Sequence, residues 1–383
     1  MFQAMDEKLL DRGAETPRIN LTPLPRYAMS NQDYGMTIGI AVTAGGRLFV
    51  CWVGGGDNSK AYFLLAYSDD GGDTWSEPCL AIDPHDPSLP CDRCTIVGTL
   101  WVDPHNRLWL FFNQTLAHFD GKSSNWFIRL DQPDANDWNW TKPCYLSYGC
   151  TLNKPIVCAN GDWLLPVSLW QRYHISPPFQ DCHHEMDPLR MAHIFASRDE
   201  GQTWTRRGGV YLPDSAFDEH MFVELRDKRL WMLGRTRTHG LVETFSPDGG
   251  VSWRTPERAS VQSVSARFHL RRLASGRLLL IKHGAEVDKA AENRSFLTAF
   301  LSEDDGASWT DGLVLDERFE ISYPDSDQST DGTLYITYDR NRAVDGEILM
   351  ARLREEDILS GKLVSKDSFL QRVILKPGKL AHP

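Results

Sequence analysis

The sequence predicts an all-β chain folded as one six-bladed β-propeller of four-stranded antiparallel blades. Three observations predict it. An eight-residue turn motif recurs four times, and a turn followed by an apolar strand recurs six times. The composition, with 13 Trp, 29 Gly and 21 Pro in 383 residues, suits many short strands joined by tight turns.

The octets share the pattern S-x-D-x-G-x-[ST]-W: "SDDGGDTW" from Ser68, "SRDEGQTW" from Ser197, "SPDGGVSW" from Ser246 and "SEDDGASW" from Ser302. Asp and Ser side chains at these spacings bond to nearby amides, Gly supplies a positive φ, and Trp packs the turn onto the sheet. Each octet follows an apolar strand, so it is a turn scaffold with no catalytic role. The second repeat comprises "GGRLFVCW", "HNRLWLFF", "NGDWLLPV", "DKRLWML", "SGRLLLI" and "DGTLYITY". The residue before its first apolar position is Arg47, Arg107, Asp162, Arg229, Arg277 or Thr333. The near-even step gives six units, and these strands are read as the inner strands of six blades. Two blades lack an octet, and "DQPDANDWNW" (Asp131–Trp140) is read as a decayed one. The whole chain, 1–383, is taken as a single domain. Residues 1–31 form an N-terminal extension and a candidate part of the closing blade. A seventh blade is the other reading for 1–31 and 353–383.

Net charge is −11, with 41 basic and 52 acidic residues. That disfavours nucleic acid as a partner, because phosphate binding needs a basic face. An anionic substrate would need local arginines acting against the global field. No apolar run is long enough to span a bilayer, so no membrane partner is expected. The first twenty residues contain no apolar leader, which predicts a cytoplasmic protein unless a leader has been removed. The eight cysteines form no dense framework and are expected to be free thiols.

The octets resemble the Asp-boxes of the sialidase (neuraminidase) superfamily. The chain resembles that superfamily over most of its length, and sialidase-like bacterial proteins with BNR repeats in particular. The resemblance implies a site at one end of the channel, with arginines on the substrate carboxylate, a Tyr nucleophile, a Glu that activates it and an Asp acid/base. In "DEHMFVELRDKRLWMLGR" it places the activating Glu at Glu219 and an arginine at Arg235. In "ENRSFLTAFLSEDDG" it places a further arginine at Arg294. "ISYPDSDQSTDGTLYITY" supplies the nucleophile, Tyr323, and "VGGGDNSKAYFLL" the acid/base, Asp57, in a loop between the first two strands of the first blade. The family's Arg-Ile-Pro motif would fall near Met36, where no arginine stands. Simple sialosides are therefore expected to be poor substrates, and the implied function is cleavage of some other terminal acidic sugar.

A tyrosine nucleophile suits an anionic sugar, where a carboxylate would be repelled. It requires a base and nearby positive charge, and Asp57 requires a raised pKa to donate a proton. The same groups suit a lyase, in which Tyr, His220 or His174 removes a proton beside a uronate carboxylate. A third reading is a glycan-binding propeller without catalysis. Arg267, Arg340 and Arg342 are reserve partners for the carboxylate. Trp170, with Tyr173 and Arg172, is read as a sugar-stacking wall or as plain packing. Asp218 reads as a turn cap. Cys91, Cys94, Cys182, His183 and His184 are of zinc-ligand type, but they lie in two distant clusters, and buried thiols with solvent-facing histidines are the alternative. No cofactor is called for. An acidic oligosaccharide is the expected partner, and the oligomeric state is left open.

Overall fold

The computed structural model describes residues 7–238 and 240–377. Their strands form six antiparallel sheets, each built from one continuous stretch of chain. Blade 1 comprises β1 (Met36–Val42), β2 (Leu48–Gly54), β3 (Tyr62–Ser68) and β4 (Leu80–Ile82). Blade 2 has five strands: β5 (Arg93–Cys94), β6 (Gly98–Val102), β7 (Leu108–Leu116), β8 (Ser124–Leu130) and β9 (Cys144–Tyr148). β5 and β6 both pair with β7, and the Asn113 side chain accepts from the Ile96 and Val97 amides in the gap between them. Blade 3 holds β10 (Ile156–Val157), β11 (Trp163–Ser168), β12 (Ala192–Ser197) and β13 (Thr205–Val210). Blade 4 holds β14 (Met221–Glu224), β15 (Leu230–Arg235), β16 (Leu241–Ser246) and β17 (Glu257–Arg258). Blade 5 holds β18 (His269–Arg272), β19 (Leu278–His283), β20 (Leu297–Ser302) and β21 (Leu313–Asp316). Blade 6 holds β22 (Ile321–Gln328), β23 (Leu334–Arg340), β24 (Glu347–Leu353) and β25 (Phe369–Leu375).

The core lies between blades. The buried apolar residues separate into six clusters; five each join two neighbouring blades, and the largest joins blades 1 and 2 and the β11–β12 connection. One cluster links Val50 and Trp52 of blade 1 to Ile348 and Met350 of blade 6, so the ring is closed. Six interfaces in a closed ring leave no place for a seventh blade. The sixth sheet is drawn wholly from residues 321–375, and the described part of the N-terminal extension adds no strand to it. That extension forms the short helix α1 (Glu7–Gly13) and bridges Asn20 to Ala81 at the outer edge of blade 1.

The repeated turn-and-strand units are second strands, not inner ones. The strands facing the channel are the first of each blade, with β6 in blade 2, and they pack on one another around the axis. Second strands are sandwiched within their sheets, and β2, β11, β15 and β19 are buried at every position. That is why they read as continuous apolar runs. The octets join third to fourth strands. In each, the first Ser hydroxyl accepts from the Gly amide, and the Asp carboxylate accepts from the following Thr or Ser. In blade 2, residues 131–140 occupy the same connection. There Asp134 accepts from the Gly45 amide and Asn106, and Trp138 packs against Phe49 and Tyr67 of blade 1. In blade 6 the connection is the helix α2 (Glu355–Ser360), with Asp357 accepting from the amides of Arg354, Val364 and Ser365.

No strand is shared at the seam between blades 6 and 1. Carboxylates of blade 6 accept directly from amides of β1: Asp339 from Thr37 (3.0 Å), Asp325 from Ile40 (2.9 Å) and Asp327 from Val42 (3.0 Å). Lys154 of blade 3 crosses the channel to Asp325 and to the carbonyls of Ile40 and Leu100. No helix among the described residues is long and apolar enough to cross a membrane.

Candidate active site

Six of the residues singled out in the sequence meet at the end of the channel where the inner strands begin. Glu219 stands just before β14 and is fully buried. Its backbone is unusual: Phe217, Asp218 and Glu219 all have positive φ (63°, 57° and 43°). Each such non-glycine residue costs of order 1–3 kcal/mol, and such strain collects at functional sites. Asp218 secures the turn. Its carboxylate accepts from the Ser215 hydroxyl, its amide donates back to Ser215, and its carbonyl accepts from the Arg235 amide. Burial, with the charge of Glu219, raises the Asp218 carboxyl to about 6. Tyr323 lies on β22 at a β-bulge, with φ of 50° and a register shift between Ser322 and Asp325. Bulges re-aim side chains, and this one turns Tyr323 out of the pleat towards Glu219.

The Tyr323 hydroxyl donates to Glu219 Oε1 at 2.9 Å. Arg235, at the end of β15, donates from Nη1 to both Glu219 oxygens at 3.0 Å. Arg294 donates to the Ser322 hydroxyl at 2.6 Å and to the Ser265 carbonyl at 3.3 Å, while Arg235 Nε reaches the Ser265 hydroxyl. The two arginines are thus neighbours on one serine. Burial and the charges of Arg235 and Arg342 lower the Arg294 pKa.

The third arginine of the cluster is Arg342. Its guanidinium carbon lies 4.1 Å from the Tyr323 ring centroid, Nε donates to Asp339 at 2.7 Å, and Nη2 is buried without a partner. Burial opposes its charge, but Asp339, Tyr323 and Tyr34 outweigh burial and raise its pKa. Position 36 is indeed a buried methionine. The positive charge that the sequence register lacks there arrives instead from the β23–β24 hairpin of the last blade. Burial and then the Glu219 carboxylate push the Tyr323 phenol up, against the pull of Arg342 and Arg235.

Asp57 lies between β2 and β3, not between the first two strands of the blade as the sequence reading had it. Its side chain is half exposed. Oδ1 faces His118 Nε2 and Oδ2 faces Arg342 Nη1, each at 3.7 Å. Burial alone would raise its pKa, but His118 and Arg342 more than offset that and lower it. The expectation of a raised Asp57 pKa is therefore corrected. Asp57, His118, Trp170, Phe217, Glu219 and Tyr323, with Ile96, Val97 and Leu152, line a pocket of about 100 Å³. A larger cavity of about 250 Å³ opens towards the other ends of β10, β14 and β18. Its charges are already paired, Lys154 with Asp325, Arg271 with Asp327 and Arg272 with Asp305, so the smaller pocket is the better candidate.

Four other candidates are corrected, and Trp170 follows the packing alternative. His220 is a core residue: Nε2 meets the His193 carbonyl at 2.9 Å, Nδ1 lies near Ser168, and burial lowers its pKa to about 4. His174 stacks on Phe217 at 4.0 Å, one layer behind the pocket, and burial likewise lowers it to about 4. Arg267 is a buried strut whose donors go to Asn153 and to the Leu152 and Ile38 carbonyls, so it has no free edge for a substrate. Arg340 is directed to Asp345 and Glu347, away from the cluster. Trp170 lines the pocket but is 2% exposed and packed against Phe119 and Phe217, so it is a wall, not a stacking platform. Tyr173 stands at the rim, its hydroxyl donating to the Ser215 carbonyl.

The zinc-type residues do not converge. His183 lies near Glu185, His184 near Asp187, and the Cys94 thiol donates to the Ala117 carbonyl. Among the described residues no group of three or more His, Cys, Asp or Glu has metal-binding geometry. All eight cysteines are free. Two members of the cluster escaped sequence reasoning. His118 follows no motif, and Ser265 is an ordinary loop serine; only the fold brings them in.

Comparisons with known proteins bear on the fold. No curated protein sequence matches the chain significantly. Among solved structures, the intramolecular trans-sialidase from Ruminococcus gnavus superposes with a TM-score of 0.63 at 12% identity, covering 88% of this chain and 98% of that one. The leech intramolecular trans-sialidase gives 0.61 at 13% identity, covering 89% and 70%. The NanB sialidase from Streptococcus pneumoniae gives 0.62 at 13%, covering 90% and 71%. At such identities these likenesses establish the fold, a sialidase-type propeller. Residues 46–336, most of the chain, match the family model of the BNR repeat-like domain, and the chain belongs to that family.

Proposed function

We propose that the protein is a sialidase-type glycosidase that cleaves a terminal sugar carrying a carboxylate at its anomeric carbon. The observation that carries this is the hydrogen-bonded Tyr323–Glu219–Arg235 chain, with Glu219 and Arg235 buried and Tyr323 partly so. A phenol held protonated by burial becomes a nucleophile only if its proton leaves as the new bond forms, and Glu219 stands where that proton would go. Arg235, Arg294 and Arg342 supply a planar-donor clamp for the substrate carboxylate, and the unpartnered Nη2 of Arg342 is a donor in waiting. In the first half-reaction the Tyr323 oxygen bonds to the anomeric carbon, its proton passes to Glu219, and the leaving oxygen takes a proton from Asp57. In the second, water attacks, Asp57 accepts its proton, and Glu219 returns the first proton to the departing phenolate. Three structural neighbours are sialidases or intramolecular trans-sialidases, in keeping with this reading.

With Arg342 in the cluster, the argument that sialosides must be poor substrates lapses. Elimination at a uronate is left with Tyr323 as its base, because His220 is held by the His193 carbonyl and His174 is stacked on Phe217 behind the pocket. The test is incubation with 4-methylumbelliferyl sialoside and a panel of acidic oligosaccharides, with mass and near-ultraviolet readout. Hydrolytic release of a terminal acidic sugar, abolished in Tyr323→Phe, is expected. An unsaturated product indicates the lyase, and binding without turnover indicates a glycan-binding propeller; either outcome would overturn the proposal.

A further inference from the structure

Asp57 presents a difficulty for the chemistry just given. A general acid must carry a proton when the leaving group departs, yet Asp57 faces Arg342 Nη1 and His118 Nε2, each at 3.7 Å. They are not equivalent. Arg342 cannot release a proton near neutral pH, whereas histidine changes charge in that range. The substrate carboxylate would also compensate Arg342, leaving His118 as the proton-carrying neighbour of Asp57. His118 is held in place for this: its ring lies against Trp170 at 6.2 Å and 28°, at the tip of the β7–β8 hairpin beside Ala117 (φ 52°). It lines the same pocket as Asp57 and Tyr323. The other titratable groups facing this pair are Arg294, Tyr323, Tyr34 and Cys94 on the Asp57 side, Glu219 in the same pocket and His174 behind Trp170. The 3.7 Å separation of His118 Nε2 from Asp57 Oδ1 needs to shorten by roughly half an ångström to become a hydrogen bond. Asp57 sits on a loop containing Gly55 and Gly56, both at positive φ.

We propose that His118 is the positioning and proton-supplying partner of Asp57, an inference that rests on the glycosidase reading. The His118 Nε2 proton passes to Asp57 Oδ1, and Asp57 delivers it to the leaving oxygen as the glycosidic C–O bond breaks and the Tyr323 O–C bond forms. In the second half-reaction the proton of the attacking water passes to Asp57 and back to His118. The pair ends each cycle as it began.

The test uses His118→Gln, His118→Ala and Asp57→Asn in the full chain, with two substrates of one sugar. A 4-nitrophenyl sialoside has a leaving group that departs without a proton; 3′-sialyllactose does not. Both His118 variants should lose about 100-fold in kcat/KM on sialyllactose, at the lower end of general-acid contributions, and at least tenfold less on the nitrophenyl glycoside. Asp57→Asn should show the same pattern. The alkaline limb of the sialyllactose pH profile should move to lower pH in both His118 variants, because Asp57 must then hold the proton unaided. Equal losses on both substrates with an unmoved limb would make His118 only a pocket wall and overturn the proposal. Turnover of neither substrate by the unaltered protein would overturn the glycosidase reading and this proposal with it.

Discussion

Glu219→Gln tests the catalytic chain most directly, because its effects on turnover and on stability come from different partners. Towards Tyr323 it removes a base. General-base loss typically costs 10²- to 10⁴-fold, or about 3–5 kcal/mol of barrier. Towards Arg235 it removes a counter-charge from a guanidinium whose side chain is 10% exposed. Breaking a buried pair from one side costs about 3–5 kcal/mol of stability. At about 2.1 cal/mol/K per residue, a chain of 383 residues has an unfolding entropy near 0.8 kcal/mol/K, so that cost is roughly 4–6 °C in Tm. Tyr323→Phe should lose turnover by a similar factor, at least ~100-fold, with little change in Tm, since Arg235 keeps its partner. The double variant should be no slower than the slower single one, as residues acting as a unit are not additive. The assay is kcat/KM on an aryl sialoside beside a thermal melt. Turnover within tenfold of the unaltered protein in both single variants would refute the reasoning, and so would multiplicative losses in the double.

Arg342→Lys keeps the charge but loses the fork and should raise KM tenfold or more, whereas Arg340→Ala, two residues away, should change kcat/KM by less than about twofold in the same steady-state assay. Asp70→Ala combined with Asp199→Ala removes the hydrogen bonds that tie two octets, and should lower Tm by about 2–3 °C in a thermal melt while leaving kcat/KM unchanged. Hydrogen bonds from Thr74 and Thr203 lower those two carboxyls to about 2. Because the folded pKa lies below the unfolded value near 3.9, their contribution is complete above about pH 4 and is lost as pH falls towards 2. Urea midpoints at pH 7 and pH 3 should therefore differ less in the double variant than in the unaltered protein.

The propeller was legible because its signals are local and repeated. An octet needs only Ser, Asp, Gly and Trp at set spacings, and those side chains bond to their own turn. Which strand of the blade carried the second repeat was not legible, because burial on both faces gives inner and second strands similar apolar runs. Glu219, Arg235, Arg294, Tyr323 and Asp57 were reachable through motif position. The rest turned on geometry that the sequence does not display. Arg340 and Arg342 read alike on paper, but Arg340 ends β23 opposite Glu347 while Arg342 lies beyond Asn341 at φ 47°. Arg267 and His220 look available until the carbonyls that occupy them are seen. His118 has no sequence signal, since its value comes from Asp57, sixty-one positions earlier in the chain and in a different blade.

The seam between blades 6 and 1 gives this ring an asymmetry that its six-fold appearance conceals. Every other pair of neighbouring blades is tied by a peptide link. This pair is held by carboxylates on amides, an apolar cluster and a few surface ion pairs such as Arg372 with Asp73. Asp57 belongs to one side of that joint, and Tyr323 and Arg342 to the other. The proposed donor and nucleophile are therefore registered against each other across the one place where the ring can open without unwinding a blade. Turnover then becomes a gauge of ring closure: denaturant that loosens the joint should silence the protein while all six sheets, and the tryptophan signal they give, are still intact.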